Sequence, residues 1–263
     1  MASVEPVTIG LIGFGALARQ VVAAFDAQTI RWVVLLRDGS TARPPTSVKI
    51  VRRLDQLIAE RPQAVIEAAG QSSVTAYVPD ILLAGIPVVV ASVGALADEN
   101  TARAIANARQ ASGARLVIPS GAIGGLDYLA AVSALPDAQI RYRLRKPVAA
   151  WRTELEALGR SNITEQVVLF TGSPAEAVRL YPKNTNAAFT AALVAHPAEI
   201  SVTVIADPDI DGNIHEIEID SAAGNAQFRF NNAPSPDNPK TSAVTGLSLA
   251  AAARDILDIG RQL

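Results

Sequence analysis

Apolar positions follow two different rhythms along the chain. Val7 to Ile12 is a short apolar run that stops at Gly13-Phe14-Gly15, which predicts a buried strand entering a tight turn. Leu17, Val21 and Phe25 then recur at every fourth position, the spacing of one helix face. Trp32 to Leu36 reads as a second strand and Val48 to Val51 as a weak third. A short helix over Leu54 to Glu60 precedes a strand at Ala64 to Glu67. The same alternation pairs a helix at Tyr77 to Leu83 with a strand at Val88 to Val90, and a helix at Glu99 to Gln110 with a strand at Leu116 to Ile118. Short apolar strands alternating with helices predict a parallel sheet covered on both faces.

After Ser120 the rhythm changes. Ile140 to Leu144, Val167 to Phe170, Ser201 to Ala206, His215 to Ile219 and Gln227 to Phe230 read as strands without a regular helix between each. That suits an antiparallel or mixed sheet with one solvated face, and hence a second domain. Asn232 to Pro239 reads as a loop, and Thr245 to Leu263 as an apolar helix. The expected architecture is α/β, a Rossmann-type doubly wound parallel sheet over residues 1–120 with a second α+β domain over 121–240. The terminal helix, within 241–263, is expected to pack back on the first domain.

Composition narrows the functional classes. With 263 residues, 49% hydrophobic and 18% charged, the chain can bury a large core. A formal charge of −2 gives no electrostatic reason to expect nucleic acid or an anionic membrane as partner. There is no cysteine, so disulfides and thiolate chemistry are excluded, and two separated histidines are a poor metal site; no metal is expected. Val74 to Ala97 is the longest apolar tract, but Asp80, Pro79 and Pro87 interrupt it and argue for helix, turn and strand rather than a membrane span. The start lacks a basic segment and carries Glu5, unlike a signal peptide, so a cytoplasmic protein is expected.

Gly13-Phe14-Gly15-Ala16-Leu17-Ala18 fits the dinucleotide fingerprint G-x-G-x-x-G/A, with a strand before it and a helix after. Gly13 permits the turn, Gly15 lets backbone N–H groups approach a pyrophosphate, and Ala18 lets helix and strand pack closely. Ala16 and Leu17 open the helix whose N-terminal dipole faces the phosphates. NAD or NADP is therefore the expected cofactor. The second strand ends Leu35-Leu36-Arg37-Asp38, where an acid would read the ribose of NAD. Either Asp38 is that acid, displaced by a residue or two, or Leu36 holds its place and Arg37 meets the 2′-phosphate of NADP. A third alternative leaves both charges merely solvated.

The two histidines are unequal. His196, in Ala195-His196-Pro197, reads as a surface or capping residue at a helix end. In His215-Glu216-Ile217-Glu218-Ile219-Asp220 the period of two puts His215 with the isoleucines and opposite the acids. Spacing leaves it either a satisfied core histidine or a partly desolvated acid/base.

From Gly10 to the final helix the sequence resembles the L-aspartate dehydrogenase family. The resemblance rests on Gly13-Phe14-Gly15, Glu67-Ala68-Ala69, Pro119-Ser120-Gly121-Ala122-Ile123-Gly124-Gly125, Arg145-Lys146-Pro147, Tyr181-Pro182-Lys183-Asn184-Thr185-Asn186, Asn213-Ile214-His215-Glu216-Ile217-Glu218 and Asn238-Pro239-Lys240-Thr241-Ser242. It implies that His215 is the catalytic residue and that Ala122, Asn186 and the neighbouring Asn184 contact the nicotinamide cofactor. It also implies a homodimer, a second domain that serves substrate binding and dimerisation, and oxidation of L-aspartate to iminosuccinate. The imine would then yield oxaloacetate and ammonia, or enter NAD biosynthesis. Many members carry an acid where Leu36-Arg37 stands. A dicarboxylate substrate needs cations and amide donors, which makes Ser120, Lys146 and Lys240 candidates; each lysine is otherwise a solvated surface charge, and the two asparagines are otherwise caps of the helix near Ala187. A reductase of the dihydrodipicolinate or homoserine-dehydrogenase type and a non-catalytic dinucleotide sensor are the competing readings.

Overall fold

The structure, a computed structural model, describes residues 6–25 and 30–258, without the side chains of residues 239 and 240. Two compact units divide it. One takes in the described residues up to Pro119 together with those from Gly246 onward; the other spans Ser120–Thr245.

The first unit alternates strand and helix: β1 (Val7–Ile12), α1 (Ala16–Ala23), β2 (Ile30–Leu35), β3 (Lys49–Val51), α2 (Leu54–Ala59), β4 (Ala64–Glu67), α3 (Gln71–Leu83), β5 (Val88–Val90), α4 (Glu99–Ser112) and β6 (Leu116–Val117). All pairings are parallel, in the order β3-β2-β1-β4-β5-β6, which is the doubly wound arrangement with its switch point between β1 and β4. Because successive side chains point to opposite faces, each strand serves two cores. Val33, Leu35, Val65, Val88 and Val90 enter one, while Trp32, Val34, Ile66 and Val89 enter the other. That is why these strands read as largely apolar runs.

α3 starts six residues before the expected Tyr77. Its Ser-Ser-Val-Thr opening has weak helical propensity, and the turn forms because Ser73 and Val74 are buried in register with Val78, Ile81 and Leu82. α4 has both textual signals: Asp98 caps Thr101 N at 2.8 Å, and Gly113 ends the helix at φ +74°.

The second unit holds α5 (Leu126–Val132), β7 (Gln139–Pro147), α6 (Arg152–Ala157), β8 (Val167–Gly172), α7 (Pro174–Leu180), α8 (Asn186–Ala195), β9 (Ile200–Asp207), β10 (Asn213–Ser221) and β11 (Gly224–Asn232). Its sheet is mixed, ordered β11-β10-β7-β9-β8, with only β7 and β9 parallel. One face carries Ile140, Tyr142, Leu144, Val202, Val204, Ile217 and Ile219 against the helices. The other face is a ladder of charges in which Arg141 and Arg143 meet Glu218, and Arg145 meets Asp207 and Glu216. The helices α5, α6 and α7 are short and escape the apolar pattern, although Ser173-Pro174-Ala175-Glu176 is a capping box that announces α7. The expected loop at Asn232 to Pro239 is instead partly a ribbon, β12 (Pro234–Ser235) paired with β13 (Asn238–Ser242); backbone pairing there overrides the polar, Pro-rich composition.

The last helix, α9 (Val244–Leu257), contributes Leu249 and Ala253 to the core of the first unit. A Cβ at Gly246 would lie 2.6 Å from Gln20 Cβ, so only glycine allows this approach to α1. Arg254 donates to the Ala24 carbonyl and lies 4.8 Å over the Phe25 ring. No helix among the described residues is long and apolar enough to cross a membrane.

Candidate functional site

In the first unit a cleft of about 1040 Å³ opens where β1 and β4 diverge. Gly13, Gly15 and Arg37 line it, with Arg19, Arg43, Ser40, Thr41, Ala69 and Ser73 among the other walls. Gly13 sits at φ +83° and donates its N–H to the Leu35 carbonyl at 3.0 Å. Gly15 precedes the first turn of α1, and a Cβ there would meet nothing within 4 Å. The space beside the helix N-terminus is thus open, as a pyrophosphate requires, and the residues fit a dinucleotide. Ala16 and Leu17 begin α1; the Leu17 side chain packs on the core, leaving its backbone to face a ligand.

Beyond β2 the chain turns at Arg37-Asp38-Gly39-Ser40, closed by Ser40 N on the Arg37 carbonyl and by Gly39 at φ +74°. The Arg52 guanidinium also donates to the Arg37 carbonyl at 3.0 Å, fixing the turn. Leu36 is buried, whereas Arg37 and Arg43 are exposed and make no ion pair with a described carboxylate. Asp38 is exposed on the turn and is not among the residues that line the cleft.

Sequence reasoning missed Glu67 as a builder of this cleft. At the end of β4 it is fully buried; Oε1 accepts from Ala69 N, Gly70 N, Ser73 Oγ and Ser92 Oγ, and Oε2 from Ser92 N, all at 2.8–3.1 Å. A buried acid in an otherwise apolar strand was the available signal.

The second unit gathers most of the other candidates at one end of its sheet. His215 on β10 lies opposite Leu144 on β7 and Phe230 on β11. Tyr142 and Lys146 share that face of β7, two residues to either side of Leu144. All three are buried, at 3%, 0% and 3% exposure. Tyr142 Oη is 2.7 Å from His215 Nδ1, and Lys146 Nζ donates to Asn184 Oδ1 at 3.0 Å. Burial, aided by the Lys146 ammonium, pushes the His215 pKa down to about 3, and burial pushes that of Tyr142 up. The imidazole is therefore neutral near pH 7. Its Nε2 is buried without a hydrogen-bond partner among the described residues.

The Ser120–Gly125 segment packs against the same end. The Ala122 carbonyl accepts from Asn232 Nδ2 at 2.8 Å, and a Cβ at Gly125 would lie 2.8 Å from the Phe228 ring. Ser120 and Ala122 are half-buried there. Asn186 is the first residue of α8; the cap position belongs to Thr185, whose hydroxyl turns back to the Tyr181 carbonyl. Asn184 accepts from Lys146, so a hydrogen bond to a buried cation replaces the capping alternative for its side-chain oxygen. The backbone of Lys240 is in β13, but its side chain lies outside the described residues. His196 follows α8 and is exposed.

Comparison with known proteins accounts for both units. The profile "Aspartate dehydrogenase, C-terminal" matches residues 127–256, and "Homoserine dehydrogenase, NAD binding domain" matches residues 13–119. L-aspartate dehydrogenase 2 of Bordetella pertussis is 41% identical over 254 residues, covering 94% of this chain and 95% of the relative. The chain belongs to the aspartate dehydrogenase family. L-aspartate dehydrogenase of Ruegeria pomeroyi, another relative, is 38% identical over 255 residues, covering 95% of this chain and 92% of its own. Among solved structures, aspartate dehydrogenase from Thermotoga maritima superposes with a TM-score of 0.77 at 27% identity, covering 98% of this chain and 99% of that one. Dihydrodipicolinate reductase from Paenisporosarcina sp. TG-14 shares the fold alone, with a TM-score of 0.57 at 11% identity over 97% of this chain and 96% of that one. As a family member the chain is a nicotinamide-dependent dehydrogenase that uses NAD or NADP.

Proposed function

We propose that the protein oxidises L-aspartate at Cα to iminosuccinate. The substrate gives up a hydride from Cα and a proton from nitrogen, and the imine then hydrolyses to oxaloacetate and ammonia or is drawn into NAD biosynthesis. The observation that carries the reading is the buried Lys146 ammonium beside His215, within the region that matches the aspartate dehydrogenase profile. A desolvated cation flanked by a neutral imidazole suits a dicarboxylate amino acid, because charge-assisted hydrogen bonds strengthen when water is excluded. The bound nicotinamide supplies the hydride acceptor.

The chain's own residues do the rest. Gly13 and Gly15 admit the pyrophosphate, with Ala16 and Leu17 offering the helix N-terminus. Lys146, held by Asn184, meets a substrate carboxylate, and Ser120 and Lys240 are the further donors that the family resemblance offers. Ala122, Asn184 and Asn186 border the nicotinamide end. His215 touches the substrate near its amino group. At the β2 end of the cleft, Arg37 and Arg43 beside Ser40 and Thr41, with Leu36 where an acid would read the ribose, favour NADP over NAD. The homodimer and the cytoplasmic location belong to the same reading and rest on the family resemblance and the sequence.

A screen of amino acids with NAD and with NADP, followed by the absorbance of the reduced nicotinamide, tests it, alongside oxaloacetate plus ammonia in reverse. L-Aspartate is expected to be oxidised with the highest kcat/KM. Tight cofactor binding without turnover of any amino acid would favour a sensor instead.

A further inference from the structure

Tyr142 reaches only one of the two ring nitrogens of His215, Nδ1. The 2.7 Å contact between Tyr142 Oη and His215 Nδ1 admits two assignments, phenol donating to a bare Nδ1 or Nδ1–H donating to the phenol oxygen. The second leaves the phenol proton in need of another acceptor. Tyr142 is fully buried and its hydroxyl has no other hydrogen-bond partner among the described residues, so that proton would be stranded at the cost of its desolvation. The phenol does not ionise either, because burial raises its pKa. The phenol therefore donates, and a neutral imidazole that accepts at Nδ1 has its proton on Nε2.

We propose that Tyr142 is a positioning residue that holds His215 as the neutral Nε2–H tautomer, so that the imidazole meets the substrate as a hydrogen-bond donor and not as the base that strips its ammonium group. Nε2 is the buried atom of the ring without a hydrogen-bond partner among the described residues, and Lys146 lies on the same sheet face, two residues along β7 from Leu144. A fixed N–H and an ammonium on one face make a donor pair for a carboxylate oxygen. The substrate's ammonium proton then leaves to water before hydride departure, and His215 keeps its proton throughout. Burial and the Lys146 ammonium on β7 act on the ring's ionisation, Tyr142 meets it by a hydrogen bond, and its neighbour on β11, Phe230, carries no charge. The donor role rests on the reading that His215 touches substrate, whereas the tautomer does not.

The chain has only two histidines, so long-range proton–nitrogen NMR of the histidine-labelled full-length protein resolves each ring, with His196→Gln assigning the signals. The expected His215 ring at neutral pH has a protonated Nε2 and a bare Nδ1. In Tyr142→Phe, Nδ1 loses its donor, both tautomers become populated, and kcat/KM for aspartate falls by about twofold or more, chiefly through a raised KM. The pH profile of wild-type turnover is expected to lack an acid limb from histidine ionisation. A wild-type ring protonated at Nδ1, or charged at neutral pH, overturns the proposal even if Tyr142→Phe fails to fold. An unchanged tautomer and unchanged kcat/KM in a folded Tyr142→Phe also overturn it. The expected spectrum in a protein that leaves aspartate untouched would sink the functional reading and keep Tyr142 as the residue that sets the tautomer.

Discussion

A Cβ atom added to Gly13 would lie 2.7 Å from the Ala69 methyl, so the turn after β1 and the turn after β4 touch through the one residue that lacks a side chain. Gly13 also needs φ +83°, a conformation that costs other residues strain. Gly15, two positions on, is under neither constraint, since nothing would approach its Cβ within 4 Å. The two glycines should therefore fail differently. Gly13→Ala is expected to destabilise the fold by about 1–3 kcal/mol, read from denaturant unfolding. Gly15→Val is expected to melt like the parent and to lose dinucleotide affinity, read by titration calorimetry. Unchanged affinity in folded Gly15→Val would remove the phosphate-cradle assignment.

Glu67 holds the other side of that contact. Its Oε1 accepts from Ala69 N and Gly70 N at 2.8 Å, and Oε2 accepts from Ser92 N at 2.9 Å. Glu67→Gln turns one acceptor into a donor that faces other donors. The expected loss is on the order of 2–3 kcal/mol of stability, with weaker cofactor binding because Ala69 is no longer held against Gly13. Thermal unfolding and cofactor titration on one preparation check both halves; a neutral effect on stability would mean that water readily replaces these contacts.

Cofactor choice is expected to follow Arg37 and Arg43. On the proposed reading each would supply a charge-assisted contact that only a 2′-phosphate can use. Arg37→Ala should weaken NADP by about tenfold and NAD little, with a larger loss in the double variant with Arg43→Ala. Dissociation constants for NADP and NAD measure this, and 2′,5′-ADP against 5′-AMP isolates the phosphate. Parallel losses for both dinucleotides would mean that neither arginine selects.

His215 links stability to pH. Unfolded, its imidazole protonates near its ordinary pKa of about 6.5. Folded, burial and the Lys146 ammonium hold it down to about 3. Between these values the unfolded chain binds one more proton at this site, so this contribution to stability is complete above about pH 6.5 and is lost as pH falls toward 3. His215→Asn lacks this term, and its melting temperature should fall less steeply on acidification than that of the parent. The kcat/KM for aspartate in His215→Asn should drop by about 10–100-fold, as for loss of one hydrogen bond to a charged group. Parallel melting curves across that pH range would show that the buried imidazole is not what couples the fold to protons.

The amino-acid sequence by itself determined the first sheet. Val7–Ile12 and Ala64–Glu67 are apolar but for Thr8 and Glu67 because both faces of a parallel sheet are covered, and such runs are legible locally. The Gly13–Ala18 fingerprint is equally local, since turn, dipole and close packing all fall within six residues. Alternation likewise placed His215 with Ile217 and Ile219 before any partner strand was known. α5 and α6 were not legible: too short to be stable alone, they exist because residues such as Leu129 and Leu155 bury against a distant sheet. The histidine's chemistry was beyond the sequence for the same reason. Tyr142 stands 73 positions from His215, and only the antiparallel register of β7 and β10 brings its hydroxyl to Nδ1. The burial that keeps the ring neutral is likewise a property of strands and helices packed together. A pattern along the chain reports which face a side chain takes; the folded sheet decides what it touches there, and that contact sets where its proton sits.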